Sequence, residues 1–324
     1  MQPAERDEVG MLSLMLSLRR FEERASQQYQ SQKIGGFCHL YIGQEAVVVG
    51  AFAATRQDDY FITAYRDHAH ALVKGTSADA CMAELFGKET GCSHGLGGSM
   101  HFFDRANHMY GGHAIVAAHV PLAVGMAFAS KYRGEDRVTL CFFGDGAINQ
   151  GAFHEALNLA ALYKLPILFI CENNLFAMGT SVKRSTSLKQ IVDRAEGYDI
   201  PADIVDGMNF REVRDKIAEI VGSIRKEPHA AFIEARTYRY RGHSMSDPAS
   251  YRTKDELEKY RLDDPIIRLR AQLTRESKLT NEQFDEIDKQ AKDAAMASVK
   301  FAEQSPEPPL EKLYDYTFLK EASR

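Results

Sequence analysis

Two short apolar runs constrain this chain more than anything else in it: VTLCFF at residues 138–143 and PILFIC at residues 166–171. Both are rich in β-branched and aromatic side chains and unbroken by charge, the pattern of strands buried on both faces. Between them, residues 146–165 place Phe153, Ala156, Leu157, Ala160 and Ala161 on one helical face. Strand, helix and strand within about 35 residues make a βαβ unit with a right-handed crossover. The expected fold class is therefore α/β, a parallel sheet flanked by helices, with ligands at the carboxyl edge of the strands.

At that edge stand Gly144-Asp145-Gly146 after the first run and Asn173-Asn174 after the second. Glycines flanking Asp145 permit a tight turn and let a phosphate approach the N–H groups at the start of the next helix. A carboxylate, an amide oxygen and a nearby carbonyl are hard donors that suit magnesium completed by diphosphate oxygens and water. Alone, a Gly-Asp-Gly is an ordinary turn. Paired with asparagines at a second strand end, it points to a diphosphate ligand.

The 324 residues are 44% hydrophobic and 26% charged, enough core for one large or two small globular domains. A net charge of -5 argues against nucleic acid as the main partner. The five cysteines form no CxxC pair, and histidines 94, 101, 108, 113 and 119 lack zinc-ligand spacing. The opening MQPAERDEVG lacks the shape of a signal peptide, and no run approaches ~18 uncharged apolar residues. A soluble, cytoplasmic protein without a membrane partner is expected.

Met11, Leu14, Met15, Leu18 and Phe21 mark an N-terminal helix, and residues 33–54 contain a small-residue helix suited to close packing. Residues 87–112, rich in glycine and histidine, read as one long functional loop. AAFIEARTYRY at 230–240 reads as a further strand, followed by a polar surface loop at 241–253. Residues 254–301 are helical and charged in pattern, and SPEPP at 305–309 marks a terminal linker.

GDGAINQGAFHEALNLAALYKLPILFICENN is similar to the thiamin diphosphate motif, in which an asparagine pair follows GDG by nearly thirty residues. GFCHLYIGQEA at 36–46, TAYRDHAH at 63–70, GGSMH at 97–101, IVAAHVPLAVG at 115–125 and TYRYRGHSMSDPASYRTKDE at 237–256 extend the likeness. Over about residues 10–270 the chain resembles the alpha subunits of 2-oxo acid dehydrogenases, those of pyruvate dehydrogenase in particular.

The resemblance implies that Asp145 and Asn174 ligate Mg2+ with the Phe176 carbonyl, while Gly144, Gly146 and Ala147 line the diphosphate site. It assigns phosphate contacts to Tyr65, Arg66 and Arg239, and sets His243 between diphosphate and thiazolium. Val116, beside Ala114, supports the aminopyrimidine, and His39 lies at the substrate end as a catalytic residue with His243. Two departures stand out: Gly-Gly-His113-Ala114 replaces a commoner glycine-asparagine-glycine, and His119 stands where glutamine is typical.

The implied activity is oxidative decarboxylation of pyruvate, a small-molecule 2-oxo acid, with the acetyl group passed to lipoyl on an acyltransferase. Acetoin and branched 2-oxo acids are the alternatives. No acidic residue here has the motif that faces the aminopyrimidine nitrogen, which implies a beta subunit and an α2β2 assembly. The expected organisation is a single thiamin-diphosphate-binding domain over 1–324, with a helical extension at about 8–32 and a helical tail at about 254–324. A nicotinamide enzyme is disfavoured because no GxGxxG opens a βαβ unit. A noncatalytic scaffold would tolerate Asp145→Ala. Ser244 and Ser246 resemble a region phosphorylated in some relatives, but read here as a plain loop.

Overall fold

A computed structural model describes residues 7–316 of the chain. Six strands form one sheet: β1 Tyr60–Ala64, β2 Met109–His113, β3 Thr139–Gly144, β4 Ile167–Asn173, β5 Ala202–Asp206 and β6 Ala230–Arg236. Their spatial order is β2-β1-β3-β4-β6-β5, and every neighbouring pair is parallel. The two apolar runs are the central strands β3 and β4, with Gly144 opposite Glu172. That register sends Asp145 and Asn174 off the same sheet edge.

The α-helices longer than four residues are α1 Glu8–Gln30, α2 Glu45–Ala53, α3 His68–Lys74, α4 Ala78–Leu85, α5 His119–Tyr132, α6 Gly151–Leu162, α7 Phe210–Lys226, α8 Lys254–Arg261, α9 Pro265–Arg275 and α10 Asn281–Gln304. Side chains alternate across the sheet. Leu140, Phe142, Leu168 and Ile170 pack toward the cluster of α1, α2 and α7, whereas Cys141, Phe143, Phe169 and Cys171 pack toward α5 and α6. Both faces are covered, which is why β4 is buried along its whole length.

Local chemistry sets the helix ends. The Asp7 carboxylate accepts from the Gly10 N–H at 2.7 Å and caps α1, which buries Met11, Met15, Leu18 and Phe21. Thr253 caps α8, Asp264 followed by Pro265 opens α9, and a Thr280–Gln283 capping box opens α10. The charged region at 254–301 is thus three helices, separated by their own caps.

On α2, Gly50 permits close packing against α7: a Cβ there meets Val213 Cγ1 at 2.7 Å. Val213 is buried and β-branched, so it has little freedom to move. Gly50→Ala is expected to lower stability by about 1–3 kcal/mol, read as an earlier denaturant midpoint. A midpoint at or above wild type contradicts this.

Four boundaries differ from expectation. Residues 87–112 are not one loop, since their last residues enter β2, an edge strand held by backbone pairing with β1 rather than by side-chain pattern. After Asp145 comes a 3-10 turn, Asp145–Asn149, and the helix starts only at Gly151. The strand expected at 230–240 ends at Arg236: Thr237 N–H makes the last bond to β4, at the Asn173 carbonyl, and Tyr240 N–H goes to the Ile42 carbonyl outside the sheet. The linker at 305–309 docks instead of trailing: Glu89 N–H donates to Pro306 O at 3.0 Å, and His94 stacks on Tyr316.

The last part of the expected helical tail, 317–324, and the first six residues lie outside the described residues. Among the described residues no helix is long and apolar enough to cross a membrane. All five cysteines are free, and Cys38, Cys81, Cys141 and Cys171 are buried.

Candidate functional site

A cavity of about 660 Å³ opens at the carboxyl edge of β1, β3 and β4. It is lined by every residue singled out from sequence: His39, Tyr65, Arg66, Ala114, Val116, Gly144, Asp145, Gly146, Ala147, Asn174, Phe176, Arg239 and His243. They come from six separate segments of chain, so the tertiary fold alone brings them together.

Asp145 is 3% exposed, and its Oδ2 has no hydrogen-bond partner. Burial pushes its carboxyl up to about 6, against the backbone N–H groups of Asp145 and Asn174, which favour the charged form. The Asn174 amide nitrogen donates to Gln44 Oε1 at 2.9 Å, which fixes the orientation of the amide. The Phe176 carbonyl accepts from Arg239 at 3.2 Å and keeps its second lone pair.

The two glycines have different roles from those expected. Gly144 is extended at φ -80 and ψ 164, a conformation open to any residue. A Cβ there meets nothing within 4 Å, so the space it would fill belongs to the cavity. At Gly146 a Cβ approaches Ala177 Cβ to 2.6 Å, so its absence lets the hairpin Phe176–Ala177/Thr180–Ser181 close over the turn.

Arg66 and Arg239 are both buried, and neither meets a carboxylate. Arg66 donates to the Leu40 carbonyl at 2.7 Å and the His243 carbonyl at 2.9 Å. Arg239 donates to the carbonyls of Arg241, Phe176 and Met178 and to the Tyr251 hydroxyl. Burial, with Arg239 nearby, holds the Arg66 guanidinium down at about 10. Two neighbouring buried cations that hydrogen-bond to no carboxylate favour an anionic guest.

The turn at 114–118 is strained. Ala117 has φ 67, Met178, which also lines the cavity, has φ 54, and its near neighbour Leu175 has φ 76. Side chains rarely adopt this conformation, and such outliers cluster at ligand sites. The turn holds Val116 partly exposed at the cavity wall. Behind it, the two departures from the family pattern meet: the His113 and His119 rings stack 5.9 Å apart at 15°. His119 Nε2 donates to the Phe142 carbonyl at 2.8 Å, and burial lowers its pKa to about 4.

His39, Tyr65 and His243 form an aromatic triangle, with ring centroids 4.6 Å, 5.5 Å and 5.1 Å apart. Burial first, then the Arg66 charge, lowers His39 to about 2 and His243 to about 4. Both imidazoles are therefore neutral at pH 7, with Nδ1 unpartnered.

Sequence reasoning did not single out Glu172, Gln150, Met178 or Asp247, which also line the cavity. Glu172 accepts from the Tyr41 hydroxyl, and His70 Nε2 lies 3.6 Å from it. Asp247 accepts from His243 N–H at 2.6 Å, Ala249 N–H at 2.8 Å and the Tyr251 hydroxyl at 2.9 Å. The one available signal was the acid beside the asparagine pair in CENN.

The donor set tests the implied cofactor. Among the described residues no group of three or more His, Cys, Asp or Glu side chains is placed to hold a metal. One buried orphan carboxylate oxygen, one amide oxygen and the Phe176 carbonyl make half of a six-fold shell, which a diphosphate and water would complete for magnesium. The unpaired arginines and the cavity volume fit the diphosphate and the rings of thiamin diphosphate. The residues present fit the group.

The family model described as dehydrogenase E1 component matches residues 13–311. A Rhizobium meliloti (strain 1021) protein named pyruvate dehydrogenase E1 component subunit alpha is 49% identical, covering 96% of this chain and 90% of its own. Proteins of the same name from Rickettsia bellii (strain RML369-C) and Rickettsia felis (strain ATCC VR-1525 / URRWXCal2) are 44% and 45% identical. They cover 98% and 97% of this chain, and 98% and 96% of their own. With a parallel α/β sheet and one cavity at its carboxyl edge, this chain belongs to the dehydrogenase E1 component family.

Proposed function

We propose that the chain is the alpha subunit of a pyruvate dehydrogenase that uses thiamin diphosphate and Mg2+. The observation that carries this is the cavity itself: two buried arginines that hydrogen-bond to no carboxylate share it with a buried carboxylate whose Oδ2 has no hydrogen-bond partner. When bound, thiamin diphosphate supplies the nucleophile and electron sink for release of carbon dioxide from a 2-oxo acid. Asp145, Asn174 and the Phe176 carbonyl hold the metal, while Arg66, Arg239 and Tyr65 hold the phosphates. Val116 and Ala114 support the aminopyrimidine. His39, neutral and at the substrate end, orients the substrate carboxylate, and His243 shields the space between phosphate and reacting ring.

All three acids in the cavity wall have other duties. Asp145 is the metal ligand, Glu172 is held by Tyr41, and Asp247 is taken by His243, Ala249 and Tyr251. A carboxylate for the aminopyrimidine nitrogen must come from a beta subunit, in an α2β2 assembly. Exposed apolar side chains support this partner: Phe37 and Met178 line the cavity, Ile115 lies between the lining residues Ala114 and Val116, and Leu122, Phe128 and Leu162 lie on α5 and α6. The two-carbon unit then passes to lipoyl on an acyltransferase. The proposed compartment is the cytoplasm, where five unpaired cysteines suit a reducing environment.

The test is co-expression with the product of the neighbouring gene, followed by decarboxylation assays on pyruvate, branched 2-oxo acids and acetoin. The chain alone is expected to bind thiamin diphosphate with Mg2+ and to turn over nothing, and the pair to prefer pyruvate. Turnover by the chain alone, unchanged when the partner is added, refutes the shared site. Preference for acetoin or a branched acid refutes the substrate.

A further inference from the structure

Residues 38–41 carry His39 through the interior without joining the sheet. A buried irregular segment must find partners for its backbone elsewhere. Its carbonyls are met by loops and by one cavity residue: Cys38 O accepts from Met245 N–H, and Leu40 O from Arg66. Its N–H groups are met by buried side chains behind the cavity. His39 N–H donates to Ser99 Oγ at 3.1 Å, and Tyr41 N–H donates to Glu22 Oε1 at 2.8 Å.

Those two acceptors are joined through His68. Its Nδ1 lies 3.0 Å from Glu22 Oε2, and its Nε2 lies 2.8 Å from Ser99 Oγ and 3.1 Å from Ser99 O. A carboxylate only accepts, so Nδ1 carries a proton and donates to Glu22, while Nε2 faces the Ser99 hydroxyl, which can donate or accept. Burial alone would lower its pKa, and the Glu22 charge and hydrogen bond outweigh that and raise it. The ring stacks on Phe102 at 5.0 Å and meets the edge of Phe21 at 6.4 Å, which fixes its plane. Glu22, His68 and Ser99 are 1%, 0% and 3% exposed, and none lines the cavity.

We infer that the buried chain Glu22–His68–Ser99 is a positioning device for His39: it anchors the backbone on both sides of Leu40 so that the His39 imidazole stays in the cavity wall. Its three members are donated by α1, by α3 and by the 3-10 turn Gly98–Met100. The inference rests on the proposed role of His39 for its catalytic consequence, but not for its structural one.

The test uses the full chain labelled with 15N-histidine, the His39 signal being assigned by its loss in His39→Gln. Ser99→Ala removes the acceptor without adding bulk. It is expected to shift the His39 ring resonances and to lower kcat with the beta subunit by about tenfold or more. Affinity for thiamin diphosphate with Mg2+ stays within about twofold, since Ser99 does not itself line the cavity. Glu22→Gln keeps an acceptor for Tyr41 N–H but removes the carboxylate charge that holds His68, and gives a smaller shift of the same kind. If Ser99→Ala does not fold, Ser99→Thr and Glu22→Gln supply the comparison, with Thr retaining the wild-type signal. Unchanged His39 resonances in folded Ser99→Ala or Glu22→Gln overturn the inference. A shifted His39 with unchanged kcat supports the positioning role and instead refutes the catalytic role proposed for His39.

Discussion

Asp145→Asn is expected to abolish cofactor binding while leaving the empty chain at least as stable as wild type at pH 8. Binding of thiamin diphosphate with Mg2+ should weaken by about a hundredfold or more, because the amide replaces the one charged side chain of the proposed metal-ligand set. The stability effect follows from burial. The Asp145 carboxyl titrates at about 6 in the folded chain, above its ordinary 3.8, because desolvation penalises the charged form. A raised folded pKa contributes stability that is fully present below about pH 4 and is lost as the pH rises through about 6. At pH 8 the empty chain carries the whole penalty, on the order of 2–3 kcal/mol, and asparagine removes it. With the proposed Mg2+ in place of the proton, cofactor affinity is expected to fall as the pH drops below about 6. Calorimetric titration at pH 5.5 and 8, with thermal melts of both proteins without cofactor, checks each part. Full cofactor affinity in Asp145→Asn would sink the site assignment and favour a noncatalytic scaffold.

Glu84→Ala is expected to be the most destabilising single change outside the central sheet. The Glu84 side chain is fully buried beneath the glycine-rich segment that follows α4. Its Oε2 accepts from Ser93 and Gly95 N–H, both at 2.8 Å, and its Oε1 from Gly97 N–H at 2.7 Å and Gly98 N–H at 3.0 Å. The amides converge as they would on a bound anion, but the anion is the chain's own carboxylate. Truncation strands up to four N–H groups, which amounts to about 3–5 kcal/mol after partial relaxation. Faster hydrogen exchange at 93–98 and an earlier denaturant midpoint are the expected readings. Because Ser99 and Met100 follow directly, the His39 signal should shift as well. A variant that melts with wild type shows that water satisfies the amides.

The parallel sheet was legible from β3 and β4, because strand periodicity and the ends of apolar runs are local properties of sequence. Once those strands are placed side by side, the Gly144–Glu172 register puts Asp145 and Asn174 at one edge with no further information. The other cavity residues could be named only through family likeness, since nothing in their local patterns ties six distant segments to one site. The edge strand β2, MYGGH, escaped notice because its position depends on pairing with β1 and its glycines carry no strand signal. The glycine-rich segment drew a functional interpretation from composition, while its structure answers to Glu84.

By itself the sequence determined the α/β class, the central strands and their paired motif, since each depends on residues within one turn or one strand of each other. The tertiary structure decided which charges remain unpaired. Arg66 and Arg239 resemble any surface arginines until the fold buries them away from carboxylates, and Glu22 meets His68 across 46 positions of chain. Desolvation and partnering are properties of the packed interior and not of residue order, so the electrostatics of the site exist only once the chain has closed around it.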